Sequence, residues 1–460
     1  MSELALQLAP TARLVDRGGG FSVTAPRRWL ERPTCGAGER RVMERLAAAP
    51  CEERGLAEEF GAIEGSENLP RFYFLLFELD AMQALSRVAV HQGQALATLH
   101  PCDGFTFDAT PLDPTAAYRV SRFASLTCEN TWTLRSPLGH ARLALTSGDA
   151  VRVVTALSCA SDVASVAART AVDPEVVRTL MQLAFATGAI APVDAEGRME
   201  EERSAALQQW EPHDLLFHAQ SRLGRHTGTF AGTFRFRGAI PPLPALRVAC
   251  GPSIALHRPD LSTLVANDPP FAAVLERRSS IREYGDPAAA QLGELLYRVA
   301  RVKEVRRRDD MEIAFYNYPA GGARSELVFY PLVRRCSGLD AGLYRYDGAA
   351  HALEAVAPFD ARAESLLADA AAALGHPAPP ILLLIAARFQ RVSWKYEAMA
   401  YAAILKHVGV VLQTLYLATT AMNLAGCAIG GGDSDRFAAL AGTNYYEETT
   451  VGEFAMGTPP

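Results

Sequence analysis

WKYEAMAYAAILKHVGVVLQTLYLATTAMNLAG, residues 394–426, is the stretch around which we expect the fold to be organised. From Glu397 onward the pattern predicts a single helix of roughly 28 residues. Its few polar positions, among them Lys406 and His407, fall in one narrow stripe, so most of its circumference is apolar. Such a helix is buried in a large core or between subunits. Gly426 is the expected end, because glycine takes the left-handed conformation at little cost.

Lys395 and Tyr396 stand side by side near the start of this stretch. The chain has 45 basic residues, yet lysine occurs only at 303, 395 and 406. A lysine beside a tyrosine at a buried helix start can lower the pKa of the phenol from about 10 toward neutrality, which would create a general base. The alternative, which the spacing alone favours, is a lysine whose stem covers apolar surface while its amine reaches water.

The composition and charge are those of a globular protein with more than one domain. At 460 residues the chain is too long for a single core, so we expect two or three domains. The net charge of −6 argues against a general nucleic-acid binder, which is usually basic. The eight cysteines form no CxxC pair and no zinc-like spacing, so we expect reduced thiols in a cytoplasmic protein.

The sequence predicts no signal peptide and no membrane span. The N-terminal residues, MSELALQLAP, lack the charged start and the apolar run of a signal peptide. The most apolar short run, ILLLIAA at 381–387, is far below the length that crosses a bilayer. We predict instead that this run is a fully buried strand.

Residues 1–117 are predicted to form a winged helix-turn-helix domain. The periodicity places three helices and then a hairpin at 38–49, 52–62, 69–85 and 88–100. The hairpin turn is expected at Gln92–Gly93. Three helices followed by a β-wing are the elements of this motif.

Residues 118–195 repeat this pattern and are predicted to be a second winged-helix domain. A hairpin with its turn at Glu129–Asn130 precedes three helices, predicted at 149–160, 161–172 and 173–190. Asp173 before Pro174 is a good helix start, and Gly188 is a good stop. The N-terminal half is therefore a tandem related by pattern and not by identity.

The charge of the predicted helices argues against DNA as a partner. The third helix of the second domain carries Arg178 and little else that is basic, and acidic residues balance the arginines of the first domain. A helix that reads DNA needs net positive charge facing the phosphates. We therefore expect no nucleic-acid partner, and a structural dimerisation module is an alternative role for the tandem.

Residues 196–255 are predicted to be a linker, charged in its first part and proline-rich in its last. His213, His218 and His226 lie within it, at spacings of five and eight residues. These spacings match no standard metal site, so we expect structural histidines and no metal.

Three segments of the C-terminal region suit an anionic or planar ligand. Arg278 and Arg282 lie four residues apart with Ser279 and Ser280 between them. Guanidinium and hydroxyl groups together suit a phosphate, although an arginine-rich surface turn is commoner. The other two segments contain paired glycines, at Gly321–Gly322 and Gly430–Gly431. Paired glycines permit the backbone to approach a ring or a phosphate closely.

Several segments together resemble one known family. They are ERRSSIREYG (276–285), YPAGGARSELVFY (318–330), GLYRYD (342–347), WKYEAMAY (394–401) and AIGGGDSDRFAALAG (428–442). They resemble nitroreductase-fold flavoproteins, and more narrowly the SagB/ThcOx-type azoline dehydrogenases that mature thiazole- and oxazole-containing peptides. HDLLFHAQSRLGRH (213–226) and TFRFRG (233–238) also fit the group, so the similarity covers most of the chain.

The resemblance implies an α+β fold in which residues 256–460 form a nitroreductase-like FMN domain. FMN binding is implied for the segment with Arg278, Ser279, Ser280 and Arg282 and for the two glycine pairs. The chain has Ala320 where the family more often has serine. It also has Thr458 where many nitroreductases carry a basic residue, so that phosphate contact is missing or comes from elsewhere.

The resemblance also implies the reaction. In this family a Lys–Tyr pair is the proposed catalytic element, and Lys395 and Tyr396 match it residue for residue. A separate cyclodehydratase would form thiazolines or oxazolines in a precursor peptide. This enzyme would then remove two electrons and two protons from each ring, with Tyr396 taking the Cα proton and FMN accepting the hydride from Cβ.

The partners and the rival functions follow from the same comparison. Tandem winged-helix units act in the family as peptide clamps for the leader of a precursor peptide, and nitroreductase folds are generally homodimers with FMN at the interface. A cyclodehydratase complex is a further expected partner. Two alternatives remain, an NAD(P)H-dependent nitro- or quinone reductase and a flavin-free peptide-binding scaffold. No G-x-G-x-x-G motif follows a strand, which is mild support for an oxidase.

Overall fold

The computed structural model describes residues 2–26, 28–108, 110–128, 130–226, 228–249 and 251–460. The chain divides into two compact units, Met1–Gly228 and Thr229–Pro460. The boundary between the units falls inside the segment 196–255 that was expected to be a linker. The residues before this boundary belong to the first unit, and those after it belong to the second.

The first unit contains twelve strands and seven α-helices among its described residues. The strands are β1 (Ser2–Leu8), β2 (Arg13–Asp16), β3 (Phe21–Thr24), β4 (Trp29–Arg32), β5 (Cys51–Glu52), β6 (Leu85–His91), β7 (Gln94–Pro101), β8 (Tyr118–Val120), β9 (Ser125–Cys128), β10 (Trp132–Arg135), β11 (Ala141–Leu145) and β12 (Ile190–Pro192). The helices are α1 (Ala37–Ala48), α2 (Glu53–Glu64), α3 (Leu69–Ala81), α4 (Gly148–Ala156), α5 (Val163–Thr170), α6 (Pro174–Ala186) and α7 (Pro212–Gln220).

One seven-stranded antiparallel sheet runs through the first unit, in the order β5-β1-β6-β7-β11-β10-β9. β7 pairs with β11, so strands from both sides of the predicted boundary at 117/118 share this sheet. The predicted domains 1–117 and 118–195 therefore do not separate into two compact bodies. Each half still has three helices and a neighbouring hairpin, and their assignment as winged helices stays a prediction.

The hairpin β6–β7 turns where the sequence predicts. Gln92 and Gly93 have φ values of 50° and 77°. A two-residue turn with both residues left-handed matches the twist of the strands on either side. β9 and β10 also pair as an antiparallel hairpin, although Glu129 of the predicted turn lies outside the described residues.

A three-stranded sheet, in the order β2-β3-β4, packs with α1, α2 and α3. Val23 of β3 is fully buried, as are Phe60 of α2 and Leu75 of α3. β4 is an edge strand of this sheet. The sequence analysis did not predict these strands, because each is only four residues long.

The second unit contains eleven strands and seven α-helices among its described residues. The strands are β13 (Ala231–Gly232), β14 (Ser253–Ala255), β15 (Glu304–Arg308), β16 (Met311–Phe315), β17 (Leu327–Val333), β18 (Gly342–Asp347), β19 (Ala352–Pro358), β20 (Ile381–Arg388), β21 (Tyr396–Glu397), β22 (Ala425–Ile429) and β23 (Glu448–Gly457). The helices are α8 (Leu261–Asn267), α9 (Phe271–Arg277), α10 (Ala289–Ala300), α11 (Ala361–Leu374), α12 (Gln390–Ser393), α13 (Ala400–Ala421) and α14 (Ser434–Ala441).

The core of the second unit is a seven-stranded sheet in the order β14-β19-β18-β17-β20-β23-β22. All eight residues of β20 are buried, which confirms the buried strand predicted for 381–387. One face of the sheet packs on α10 and α13, and the other packs on α11 and α14. The unit therefore consists of a central sheet between two helical layers.

The helix α13 has 22 residues and is shorter at both ends than the sequence predicts. Tyr396 and Glu397 pair with β13 instead of starting the helix, and Ala398 has a left-handed φ of 62°. At the other end Asn423 has a φ of 52°, and Gly426 lies within β22. α13 is long and apolar enough to cross a membrane, but a core helix of a soluble protein passes the same test.

The residues between 229 and 255 belong to the second unit and pack against the rest of it, so they do not form a free linker. Trp394 donates from Nε1 to the carbonyl of Ile240 at 2.6 Å. Arg391 donates to the carbonyl of Leu243 at 2.7 Å, and Arg388 donates to the carbonyl of Pro244 at 3.0 Å. These side chains directly precede Lys395 and Tyr396, so the segment is bonded to the part of the chain that leads into the pair.

Candidate active site

Lys395 and Tyr396 lie in an extended segment between α12 and α13. Tyr396 pairs with Gly232 in the short antiparallel ladder of β13 and β21. The carbonyl of Lys395 accepts a hydrogen bond from the backbone N–H of Phe234 at 3.1 Å. The backbone of the pair is therefore fixed by residues about 160 positions earlier in the chain.

The functional ends of both side chains converge on Gly322. A Cβ atom added at this glycine would lie 2.3 Å from Lys395 Nζ and 2.6 Å from Tyr396 Oη. Gly322 also has a left-handed φ of 59°. Glycine suits this position, because a side chain here would have to displace the amine and the phenol. The structure therefore joins two of the sequence-predicted segments at one point.

Aromatic rings surround the amine of Lys395. Its Nζ lies 5.5 Å from the centre of the Phe234 ring and 4.9 Å from that of Tyr396. A cation near a ring face is attracted by the negative potential of that face. Phe234 is a site residue that the sequence analysis did not single out.

Gly321 is held by a buried pair of side chains that the sequence analysis did not identify as a unit. Its backbone N–H donates to Nε2 of His407 at 2.7 Å. On the other side of the ring, Nδ1 of His407 lies 2.8 Å from Oε1 of Glu326. The exposed fractions of His407 and Glu326 are 8% and 1%. The N–H of Gly321 is thus engaged within the protein, and a role of Gly321 in FMN binding stays a prediction.

Two buried arginines fix the segments around Gly322. Arg324 donates to the carbonyl of Arg391, and Arg391 donates to the carbonyls of Ser325 and Glu312. Both side chains are fully buried, and burial lowers the pKa of Arg391 to about 9. Arginine is usually found at the surface, so no sequence pattern would have placed these two in the core.

The segment with Arg278, Ser280 and Arg282 lies beside the C-terminal half of α13. Tyr416 accepts at its Oη from the backbone N–H of Ala428 at 2.8 Å, and the same oxygen lies 2.9 Å from Ser280 Oγ. If the tyrosine proton is donated to Ser280, the Ser280 hydroxyl keeps its own proton for another acceptor. The bond from Ile281 N–H to the Gly426 carbonyl, 3.1 Å long, holds the segment in place.

The two arginines of this segment are available to a ligand. Arg282 is exposed, and Arg278 is partly exposed with its guanidinium 5.4 Å from the centre of the Tyr416 ring. Among the described residues neither guanidinium group forms an ion pair or a hydrogen bond. Ser279 is exposed as well. Two guanidinium groups and a hydroxyl donor at one place suit an anion with several oxygens, such as a phosphate.

The loop after β22 is open to solvent. Gly430 and Gly431 are exposed, and a Cβ at either would have no neighbour within 4 Å. The protein itself therefore does not require glycine at these two positions. Gly432 is different, since a Cβ there would lie 2.0 Å from Oε1 of Glu453. Asp433 caps α14 by accepting from the N–H of Arg436.

The pKa of Glu453 should make the stability of the protein depend on pH. Burial, with the nearby carboxylates of Asp369 and Asp433, raises the pKa of Glu453 from 4.5 to about 7. Below about pH 4.5 the carboxyl is protonated in both the folded and unfolded states, so its contribution to the free energy of unfolding is fully present. Between pH 4.5 and 7 unfolding releases its proton, so stability falls by about 3 kcal/mol and then levels off.

The variant Glu453→Gln should remove this dependence. It should equal the wild type near pH 4.5 and exceed it at pH 8 by up to about 3 kcal/mol, measured by urea unfolding of the full chain. The exposed Glu447→Gln is the matched control and should behave like the wild type at both pH values. A Glu453→Gln variant that is no more stable at pH 8 would contradict the assignment.

The site residues form two groups at opposite ends of α13. Gly321 contacts His407, near the start of the helix, and Ser280 contacts Tyr416, near its end. Nine residues of helix separate these contacts, which corresponds to roughly 13 Å. The arrangement suits an extended ligand with an anionic group at one end and a reacting ring at the other.

The remaining predicted features do not add to the site. Thr458 forms two backbone hydrogen bonds with Gly285 and supplies no cation. Among the described residues no three histidine, cysteine, aspartate or glutamate side chains are placed to hold a metal. His218 instead stacks on Trp210 with ring centres 5.8 Å apart.

Two family models match the chain. Residues 118–227 match the cyanobactin oxidase ThcOx, and residues 275–458 match the nitroreductase family. These matches confirm the predicted resemblance and the nitroreductase domain in the C-terminal region. A putative nitroreductase of Methanocaldococcus jannaschii is 28% identical over 182 residues, which are 39% of this chain and 85% of that protein.

The solved structures that the chain is similar to are more distant in sequence. A putative nitroreductase from Ralstonia eutropha has 22% identity and a TM-score of 0.37, covering 47% of this chain and 95% of its own. A chain of the E. coli microcin synthetase McbBCD complex with truncated pro-MccB17 bound has 18% identity, a TM-score of 0.34 and coverages of 49% and 91%. A putative nitroreductase from Desulfovibrio desulfuricans in complex with FMN has 16% identity, a TM-score of 0.28 and coverages of 42% and 88%.

Proposed function

Since residues 275–458 belong to the nitroreductase family and residues 118–227 match ThcOx, we propose that this chain is an FMN-dependent azoline oxidase acting on a peptide. Its reaction would convert thiazolines or oxazolines to thiazoles or oxazoles. The observation that carries the proposal is the convergence of Lys395 Nζ and Tyr396 Oη on Gly322. A nitro- or quinone reductase has no need of such a pair.

The residues present fit FMN. Arg278 and Arg282 would bind its phosphate, because neither guanidinium group has a partner among the described residues. The Ser280 hydroxyl would join them when Tyr416 is the donor in the bond between the two hydroxyls. Gly322, Gly430 and Gly431 would lie against the ring, where a side chain would obstruct the approach. Bound FMN supplies a two-electron acceptor that dioxygen can regenerate.

Side chains of this protein would carry out the proton transfer. Tyr396, with the Lys395 ammonium beside it, would take the proton from Cα of the azoline as the hydrogen on Cβ leaves with two electrons for the flavin. Proton abstraction by a side chain held at the reacting atom is general-base catalysis. The ring loses two protons and two electrons in total, and the aromaticity of the product drives the step.

The first test of this function uses a synthetic peptide that contains one thiazoline. When mixed without oxygen, the peptide should bleach the visible absorbance of the flavin, and in air it should lose two hydrogens by mass spectrometry. The matched control is the same peptide with an unmodified cysteine, which should do neither. Rapid bleaching by NAD(P)H with no effect of the thiazoline peptide would instead identify a reductase, and a colourless protein would favour the flavin-free scaffold.

The first unit would bind the leader of the precursor peptide at an exposed aromatic surface. Trp29 of the edge strand β4 is 73% exposed, and Phe74 and Phe77 of α3 are 55% and 67% exposed. The pair of Arg32 with Glu78 joins β4 to α3, so the edge strand lies beside the helix that carries Phe74 and Phe77. An extended peptide could add a strand to the free edge of β4 and place apolar side chains on α3.

The exposed aromatic residues of α3 lead to a prediction about leader binding. The double variant Phe74→Ser and Phe77→Ser of the full chain should weaken binding of a labelled cognate leader by about tenfold to a hundredfold, as buried aromatic anchors do. Trp132→Ala, which removes an exposed tryptophan of β10, should leave the affinity unchanged. Unaltered binding in the double variant, or salt-sensitive binding of duplex DNA instead of leader, would contradict the assignment.

The second unit would form a homodimer through α13. Leu405 and Val410 of α13 are 39% and 37% exposed, and Phe271 and Leu275 of the neighbouring α9 are 67% and 42% exposed. Exposed apolar side chains on two neighbouring helices are the kind of surface that an interface would cover. A mass of one 49.6 kDa chain by light scattering would contradict the homodimer. A cytoplasmic location and a cyclodehydratase partner are part of the same proposal.

A further inference from the structure

We propose that His407 and Glu326 are positioning residues for the Lys395–Tyr396 pair and act through the loop that contains Gly321 and Gly322. This inference rests on the proposed function, because it assigns a role to residues around the same reacting groups. Neither side chain reaches Lys395 or Tyr396 directly through a hydrogen bond among the described residues.

The hydrogen bonds fix the protonation of the histidine ring. The backbone N–H of Gly321 can only donate, so Nε2 of His407 must carry a lone pair. In a neutral imidazole the proton is then on Nδ1, where it is donated to Oε1 of Glu326 at 2.8 Å. Glu326 thereby sets the tautomer that allows His407 to accept from the loop.

The loop that His407 holds is in an unfavourable conformation. Gly322 and Ala323 have consecutive left-handed φ values of 59° and 52°. A non-glycine residue such as Ala323 adopts this conformation only when its surroundings enforce it. The Gly321 hydrogen bond lies next to these two residues, so it is well placed to enforce the bend.

The bend matters because Gly322 determines where the two reacting side chains end. Lys395 Nζ and Tyr396 Oη are close enough to this backbone that a Cβ there would overlap both. A shift of the loop by about 1 Å would release the amine and the phenol from this position, and misplacement of that size can cost a hundredfold in rate. His407 itself is not available as the base, because both of its ring nitrogens are engaged.

The test compares two replacements of His407 with a neighbouring control in the flavin-loaded full chain. His407→Phe keeps a ring and removes both hydrogen bonds, whereas the amide oxygen of His407→Gln can still accept from Gly321. Lys406→Gln changes the adjacent exposed residue of α13. Hydrogen exchange of residues 318–324 should be roughly fivefold to tenfold faster in His407→Phe, intermediate in His407→Gln and unchanged in Lys406→Gln.

Turnover of the thiazoline peptide gives the second readout. We expect kcat to fall about tenfold to a hundredfold in His407→Phe with little change in KM, and His407→Gln to recover part of the loss with the pH profile of the wild type. The proposal is overturned if His407→Phe leaves hydrogen exchange of the loop unchanged. It is also overturned if His407→Gln is as slow as His407→Phe and loses one limb of the pH profile, since the imidazole would then itself be titrating.

The two readouts separate this proposal from the function on which it rests. If the wild-type protein does not oxidise azolines, the proposed function fails, while the exchange experiment still measures whether His407 holds the loop. If the wild type is active and exchange in His407→Phe is unaltered, the function stands and the positioning role is wrong.

Discussion

Replacing Tyr396 with phenylalanine is expected to lower kcat by about 10²–10⁴-fold, while the protein should keep its flavin and its affinity for the peptide. The change removes one oxygen from a ring that is only partly buried, so packing and stability should hardly alter. The oxygen that is lost is the one that faces Gly322 beside the Lys395 amine. Removing the general base while leaving the binding contacts intact reduces kcat and leaves KM close to its original value.

The neighbouring residues provide the controls for this result. Tyr401→Phe makes the same chemical change at the exposed start of α13 and should retain full turnover. Lys395→Ala should also slow turnover, and Lys395→Arg should restore only part of it, because a planar fork replaces a point charge next to the phenol. Turnover of Tyr396→Phe at the wild-type rate from about pH 6 to 9 would make Tyr396 a packing residue. Glu397, held by Thr233 at 2.9 Å, would then be the next candidate base.

The sequence indicated Lys395 and Tyr396 as the proposed catalytic pair, but it did not predict the structure that surrounds them. Lys395 and Tyr396 are adjacent in the chain, so their relation to each other needs no tertiary information. Their relation to Gly322 depends on a loop more than 70 residues earlier, and no local pattern records such a contact. For the same reason Glu397 was assigned to the helix, although its pairing with Ala231 draws it into a strand. Tertiary pairing overrides local periodicity in short segments.

Polar residues in apolar surroundings were the least predictable part of the site. The stripe of α13 that includes His407 was visible in the sequence as a break in an apolar pattern. Its partners, Gly321 and Glu326, are about 80 residues away and carry no spacing that would link them to it. Arg324 and Arg391 can be buried because they donate hydrogen bonds to backbone carbonyls of several loops. A sequence pattern describes the order of side chains and does not show where such carbonyls lie in the fold.

The domain organisation was predicted in part for a related reason. Helix and hairpin patterns are local, so the order of elements in the first unit follows from the sequence. The pairing of β7 with β11 joins the two halves in one sheet, and it depends on contacts between residues about 45 positions apart. The boundary at 117/118 was drawn from local pattern alone, which cannot detect a sheet that continues across it.

The double replacement of Arg278 and Arg282 with alanine should leave the protein folded and strip its flavin. Both guanidinium groups lack ion-pair partners among the described residues, so the folded chain loses little when they are removed. Each charge-assisted bond to a phosphate is worth roughly 1.5–3 kcal/mol, which corresponds to about tenfold to a hundredfold in FMN affinity. If the two contributions are independent, the double variant should bind FMN about 10²–10⁴-fold more weakly.

The measurement is a fluorescence titration of the flavin-free protein with FMN, supported by retention of colour through gel filtration. Arg277→Ala is the matched control, because Arg277 is the adjacent exposed arginine and its Nε already bonds the carbonyl of Ala273 at 3.3 Å. It should bind FMN like the wild type. Riboflavin, which lacks the phosphate, should bind the wild type and the double variant with the same affinity, since neither arginine would contact it. Wild-type FMN affinity in the double variant would place the phosphate site at another segment of the second unit.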